Sequence, residues 1–262
     1  MGVTVEASRP TATTESAPLL EVRGISKAFG HVQALTDVSF SLRDGETVGL
    51  VGDNGAGKST LVKILAGVHA ADSGEILMSG QAVEIDSPID ALRYGIGTVY
   101  QDLAVVDVLD VARNIYLGNL PRRFGFIVDY RRMYRDARSI LTQLRVNMPS
   151  VRTKVGELSG GQRQAVAIAR TLAQSARIFL MDEPTAALGV AQSEKVNELI
   201  ADLKHDGRTV LVITHNMEHI FEVADRIIVL RHGRRVGVRA RAETTREEIV
   251  GLITGAIRGD VN

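Results

Sequence analysis

The chain has 262 residues, 45% of them hydrophobic and 24% charged, which is ordinary for a folded protein and enough for a sizeable core. Lys plus Arg and Asp plus Glu balance at 31 each, so the chain lacks the overall positive field that non-specific nucleic-acid binding draws on. With no cysteine, disulfides, thiolate metal sites and cysteine nucleophiles are excluded, and the composition fits a reducing compartment.

Residues 1–18 are rich in Thr, Ser, Ala and Pro and read as a disordered tail ahead of one domain over 19–262. The tail has no apolar core like that of a secretory signal, and no run in the chain approaches the ~18–20 apolar residues that span a bilayer. Alternation in LLEVRGISKAF predicts a strand from Leu19, and Asp37–Leu42 a second. ETVGLVG is short and apolar, as a buried strand is. A helix is expected from Lys58 to about Ala66, then a strand in GEILMSG. From Ile89 to Val155 the spacing of ALRYG, VARNIYLGN and YRRMYRDARSILTQLRV is mostly helical, with one short strand at Ile96–Gln101. Arg122, Arg123, Arg131, Arg132 and Arg135 in this stretch read as a solvated helix face. After Leu158 the order is helix, strand, helix, strand, with RIFLMDEP and RTVLVITH as apolar runs that end in polar residues. Alternating strands and helices argue for a parallel sheet, whose ligands bind at the strand C-terminal ends. ADRIIVLRHGRRVGV reads as a hairpin around His232-Gly233, and Arg246–Ile253 as a short helix. No internal repeat is present.

Gly52-Asp53-Asn54-Gly55-Ala56-Gly57-Lys58-Ser59 fits G-x-x-x-x-G-K-[ST], placed between a strand and a helix. The glycines let backbone N–H groups approach phosphates, and the helix start adds its positive end. Lys58 offers a compact charge to the outer phosphates, Ser59 a hydroxyl to Mg²⁺, and Thr60 a contact to the inner phosphate. Taken alone, the loop does not separate a kinase, a GTPase and a transport ATPase.

Leu158-Ser159-Gly160-Gly161-Gln162 opens a predicted helix, and here the sequence, over about residues 20–240, resembles the ABC ATPase family, whose signature is LSGGQ. Ser159 with two glycines at a helix start is also a second anion-binding surface, where a plain cap needs no paired glycines. The resemblance implies a P-loop α/β core with a mostly parallel sheet flanked by helices. It adds an N-terminal antiparallel β subdomain and an α-helical subdomain inserted at about 102–160. It implies ATP and Mg²⁺ as cofactors, Asp182 as a metal ligand through water, and Glu183 as the residue that activates the attacking water. Gln101 matches the glutamine that touches Mg²⁺ and water, His215 the histidine that hydrogen-bonds the γ-phosphate, and Phe29 the aromatic that stacks on adenine; the bland alternative for Phe29 is core packing. His31, His69, His205, His219 and His232 carry no such context. The family commonly reads P-T-S-A-L-D after the glutamate; here Pro184-Thr185-Ala186-Ala187-Leu188-Gly189 puts Gly189 where an Asp helps couple two ATP sites.

The resemblance further implies a head-to-tail pair of identical chains, each ATP held between the phosphate loop of one and the signature of the other. Membrane permease subunits and, indirectly, a solute-binding protein would be partners at the cytoplasmic face of a bacterial membrane. GDNGAGKSTLVKILAGVHAADSGEI and DEPTAALGVAQSEKV look like monosaccharide importers of the ribose, xylose and fructose type, in a single-cassette form. Three rivals stay open: an importer ATPase for another small solute, a soluble ABC ATPase acting on DNA or ribosomes, and a small-molecule kinase. The soluble class usually shows coiled-coil insertions, zinc cysteines or tandem cassettes, none of them found here, so no nucleic acid is expected. A kinase leaves LSGGQ and His215 idle.

Overall fold

The computed structural model describes residues 17–186 and 188–260, so nearly all of the expected tail, and Ala187, lie outside the described residues. In chain order the elements are β1 (Leu20–Phe29), β2 (Val32–Leu42), β3 (Thr47–Val51), α1 (Lys58–Leu65), β4 (Ser73–Met78), β5 (Gln81–Val83), α2 (Pro88–Arg93) and β6 (Ile96–Val99). Then follow α3 (Val111–Ile115), β7 (Arg122–Arg123), β8 (Ile127–Val128), α4 (Tyr130–Gln143) and α5 (Gly160–Ala173). The chain continues through β9 (Ile178–Asp182), α6 (Val190–His205), β10 (Thr209–Ile213), α7 (Met217–Val223), β11 (Arg226–Arg231), β12 (Arg234–Ala240) and α8 (Arg246–Thr254).

Six strands form the central sheet in the order β12-β11-β3-β10-β9-β6, parallel throughout except for the β11–β12 hairpin. Its strands are apolar on both faces because each face covers a separate core. Ile178 and Leu180 of β9, with Leu211 and Ile213 of β10, enter the core shared with α1 and the first strands. The alternate residues Phe179, Met181, Val210 and Val212 enter the core shared with α5 and α6. Period-two side-chain alternation thus turns one short apolar run into two packing surfaces. A second, antiparallel sheet, β2-β1-β4-β5, lies over α1.

Three sequence readings need correction. β2 begins at Val32, five residues before the expected Asp37, because its irregular register against β1 tolerates polar residues; Asp37 itself sits at φ 52 within that irregular stretch. β5 was not expected and pairs with β4 across the Ser79-Gly80 turn. The stretch between α3 and α4 is not helical: Arg122 and Arg123 pair with Val128 and Ile127 in a small hairpin, not on a helix face. Gly118, Pro121 and the Phe124-Gly125 turn break the helical period there.

The loop after β6 is anchored on one buried amide. Asn114 is wholly buried; its Oδ1 accepts from the Val106 N–H (2.8 Å) and its Nδ2 donates to the carbonyls of Val106 (3.0 Å) and Asp110 (3.1 Å). Asn114→Ala leaves the Val106 N–H without its partner, while the carbonyls of Val106 and Asp110 keep the N–H groups of Leu109 and residue 114, so it is expected to cost about 1–3 kcal/mol in urea unfolding while the central sheet keeps its circular dichroism signal.

Candidate active site

The parallel strands deliver their polar ends to one edge. In the ladder, Leu50 faces Ile213, Ile213 faces Asp182, and Met181 faces Val99. The residues following β3, β10, β9 and β6 therefore emerge side by side: the 52–59 loop, Thr214-His215, Glu183 and Tyr100-Gln101.

The loop closes against the rest of the fold at its glycines. A Cβ on Gly52 would fall 2.2 Å from the Leu230 carbonyl oxygen, and one on Gly57, at φ 100, would fall 2.6 Å from that of Ala34. Side chains at either place would push the loop off β11 and β2. The Gly233 N–H donates to the Ala56 carbonyl (3.1 Å) and the Thr36 N–H to the Gly233 carbonyl (2.7 Å), tying the β11–β12 turn to the loop and to β2. Asp53, Asn54, Gly55 and Ser59 are exposed, Thr60 is half-buried and Ala56 buried.

Lys58 is 8% exposed, and its Nζ donates to the carbonyls of Gly52 (2.7 Å) and Asp53 (3.0 Å). Burial pushes its pKa down, opposed by the charges of Glu183, Asp53 and Asp182. Gly57 caps α1 without any side-chain hydrogen bond, and α1 carries no acid in its first turn. A helix start with neither cap nor carboxylate, beside an ammonium held on loop carbonyls, is a donor set matched to a polyphosphate.

Asp182 is pushed up, first by burial and then by the adjacent Glu183, with Lys58 and Lys63 opposing. Among the described residues no group of three or more His, Asp and Glu side chains forms a metal cage. Mg²⁺ takes one or two protein carboxylates and completes its shell with water and substrate phosphates, a demand that the half-buried Asp182 carboxylate fits. The Glu183 carboxylate is held firmly. Thr214 Oγ1 donates to Oε2 (2.9 Å), the His215 N–H donates to Oε1 (3.2 Å), and His215 Nδ1 lies 2.8 Å from the same oxygen. Glu183 also sits at φ 49, a conformation costing about 1–3 kcal/mol for a non-glycine residue. The 2.7 Å bond from its N–H to the Ile213 carbonyl helps to hold it there.

The structure thus gathers Lys58, Asp182, Glu183 and His215. Gln101 follows the end of β6 and is exposed; Tyr100 before it feels the Asp182 charge, and burial raises its phenol pKa. Phe29 is 43% exposed at the end of β1, edge-on to His69 with ring centroids 5.2 Å apart, so core packing does not account for it.

The segment Ser159–Gln162 is engaged elsewhere. Ser159 caps α5 in a reciprocal box: its Oγ accepts from the Gln162 N–H (3.4 Å), and Gln162 Oε1 accepts from the Ser159 N–H (3.1 Å). Gln162 Nε2 donates to the Asn147 carbonyl (3.2 Å). A Cβ on Gly160 would lie 2.7 Å from Leu188 Cδ2, so close packing between the start of α5 and the segment before α6 is one reason for glycine there. Gly161 has ordinary room against Gln192. Gly189 is the N-cap of α6 and makes no side-chain cap, a place where Asp is among the preferred residues.

Two residues of this region were given no role from the sequence. Thr214 could have been found as a hydroxyl between a strand and His215. His219 had no signal, being one polar residue in a short helix. It is buried; its Nδ1 lies 3.1 Å from Thr185 Oγ1, and burial lowers its pKa against the pull of Glu183.

This edge and loop define a P-loop nucleotide-binding ATPase. The ABC transporter family matches residues 35–186, and the chain belongs to that family as an ATP-hydrolysing cassette. It is 46% identical over 244 residues to the xylose/arabinose import ATP-binding protein of Sulfolobus acidocaldarius, covering 93% of this chain and 97% of that one. It is 42% identical to the fructose import ATP-binding protein of Rhizobium meliloti, covering 91% and 95%. The ribose import ATP-binding protein of Chromobacterium violaceum is 47% identical over 91% of this chain, which spans only 47% of that protein. Among solved structures, the ADP conformation of an ATP-binding cassette of an ABC transporter superposes with a TM-score of 0.77 at 27% identity, covering 90% of this chain and 95% of that one. A dimeric ATP-binding cassette bound to ADP and Pi superposes with a TM-score of 0.71 at 28% identity, covering 85% and 98%. No helix among the described residues is long and apolar enough to cross a membrane.

Because burial and the neighbouring Glu183 carboxylate both disfavour the charged form of Asp182, Asp182→Asn is expected to raise the melting midpoint of the protein without added nucleotide at neutral pH by roughly 2–4 °C. Differential scanning calorimetry of both proteins checks this.

Proposed function

We infer that the chain is the ATP-hydrolysing subunit of an importer that moves a small solute, a monosaccharide, across the cytoplasmic membrane, working from its cytoplasmic face. The observation that carries the hydrolytic half is the Glu183 carboxylate, fixed by Thr214 and His215 at the edge where Lys58 and Asp182 also meet. The import half is supported by relatives that are named for importing xylose/arabinose, ribose and fructose.

In this reading Gly52–Thr60 wraps the phosphates of ATP, Lys58 neutralises the outer ones, and Phe29 takes the adenine. Ser59, Asp182 and Gln101 hold Mg²⁺, which when bound supplies positive charge to the leaving and transferred phosphates. Glu183 receives the proton of the attacking water, and Gln101 and His215 orient that water and the γ-phosphate. Positioning and electrostatic stabilisation supply most of the rate. Ser159, Gly160, Gly161 and Gln162 face the ATP held on a second copy of the chain, so two copies pair head to tail. The inserted unit over about 102–160 passes the closing motion to membrane permease subunits, which receive solute from a binding protein. Sugar choice lies with those partners.

Glu183→Gln is expected to bind ATP with near wild-type affinity and to lose at least about 100-fold in turnover, since the amide cannot accept the proton. Nucleotide titration and phosphate release measure the two separately, and undiminished release removes Glu183 from the mechanism. Ser159→Arg mixed with Lys58→Ala chains is expected to leave at most one working composite site per pair. Full two-site activity in that mixture contradicts the paired arrangement. Reconstitution of the chain with candidate permeases in vesicles tests the solute class: ATP-driven uptake of a monosaccharide is expected, and uptake of another solute class instead refutes it.

A further inference from the structure

The chain is electrically neutral, yet residues 113–138 hold seven arginines against two aspartates, a local surplus of five positive charges. Arg131, Arg135 and Arg138 recur at helical spacing along α4, on the side away from its buried Met133, Ala137 and Leu141. With Arg113 and Arg152 they line an open cleft of about 610 Å³. The acids nearby offset little of this. Asp110 is buried, accepting from the Tyr134 hydroxyl (2.7 Å) and lying 3.7 Å from Arg113; Asp136 pairs with Arg132 (3.2 Å) and Arg135 (3.0 Å). Arg152 stacks over the Tyr134 ring at 4.3 Å. Among the described residues, Arg131 and Arg138 make no side-chain ion pair.

The β7–β8 hairpin stands next to this face in the chain and carries an apolar tip. Phe124 is 73% exposed and Phe126 76%, while Ile127 and Tyr130 are about half exposed. Phe124 is held at φ 55, an unusual conformation for a bulky side chain, so the turn keeps an aromatic ring in water at a backbone cost. Arg123 lies over that ring at 4.9 Å. Folding of the described residues does not explain two phenylalanines at a hairpin tip, each close in sequence to guanidinium groups, because nothing among those residues buries them.

We propose that the β7–β8 hairpin and the arginine face of α4 seat directly on an anionic lipid surface. Phe124 and Phe126 enter the headgroup boundary, Tyr130 lies at that level, and the guanidinium groups pair with lipid phosphates. Arginine matches phosphate oxygens in a two-point fork, and an apolar tip flanked by cations is the pattern of an interfacial anchor. The charge surplus selects this occupant over a neutral surface. This attachment needs no nucleotide and so stands apart from the hydrolytic reading.

The test is sedimentation of the purified full chain with vesicles of phosphatidylcholine alone and vesicles that also hold phosphatidylglycerol. Binding to the anionic vesicles is expected to be at least about tenfold stronger and to fall steeply with added salt. Phe124→Ser with Phe126→Ser, and separately Arg131→Glu with Arg138→Glu, should each lower it by about tenfold with ATP hydrolysis unchanged. Inorganic phosphate at matched ionic strength should not compete; full competition would move the site to a soluble anion and overturn the lipid assignment. No binding to anionic vesicles at low salt, or undiminished binding by the phenylalanine variant, overturns the proposal. Binding that appears only when the vesicles contain the permease overturns it in favour of a protein contact.

Discussion

Lys58 is an ammonium with little access to water, placed where four parallel strands end, and the rest of the site is arranged around the cost of keeping it there. Two loop carbonyls and the charges of Asp53, Asp182 and Glu183 offset its lost hydration. That arrangement demands a loop that bends its carbonyls inward, which Gly52 and Gly57 allow by letting β11 and β2 approach where a Cβ would collide. It also demands carboxylates at the ends of neighbouring strands, which the parallel register of β3, β10 and β9 supplies. The same carboxylates repel each other, and burial of Asp182 raises its proton affinity. Charges of both signs are therefore held close together at this edge, a setting suited to binding a polyanion and a cation together.

The Glu183 carboxylate shows how that tension is contained. Its backbone is strained, and its oxygens are taken up by Thr214 and His215 from the next strand. The carboxylate thus belongs mechanically to β10 as much as to β9. His215 remains 75% exposed at the side chain while Glu183 is 17% exposed, so the histidine is the part of the pair that meets solvent and any arriving ligand. His219 and Thr185 meet behind Glu183 and tie α7 to the turn after β9.

What the sequence made legible was contiguous chemistry. The 52–59 loop, the Asp182-Glu183 pair and the Ser159–Gln162 cap each lie within a few residues, and apolar runs bounded by polar ends placed them on strands and helices. What it hid depends on distance along the chain. The bond from Thr214 to Glu183 spans 31 residues and exists only through the register of β9 on β10. β2 was misread because bulges let polar residues into a strand, and the β7–β8 hairpin because arginines and tyrosines at three- and four-residue spacing continue into α4, where they are helical. A helical period in the sequence does not say where the helix starts; Asp129 does, by capping α4 through the Arg132 N–H.

The glycines of Leu158-Ser159-Gly160-Gly161-Gln162 illustrate how one motif answers to two constraints. Gly160 has a packing reason of its own, since a side chain there would meet the end of Leu188, so its presence alone is no argument for an anion. The argument rests on Ser159. Its oxygen accepts from the Gln162 N–H over a long 3.4 Å, and the hydrogen bonds in the structure leave its own proton uncommitted. The hydroxyl can therefore cap α5 and still donate outward. Gly189 ends the segment packed on Gly160 and leaves α6 without a side-chain cap. An Asp at that position could supply the missing cap, so the substitution changes how α6 is held at its start, next to the residue that packs on Gly160.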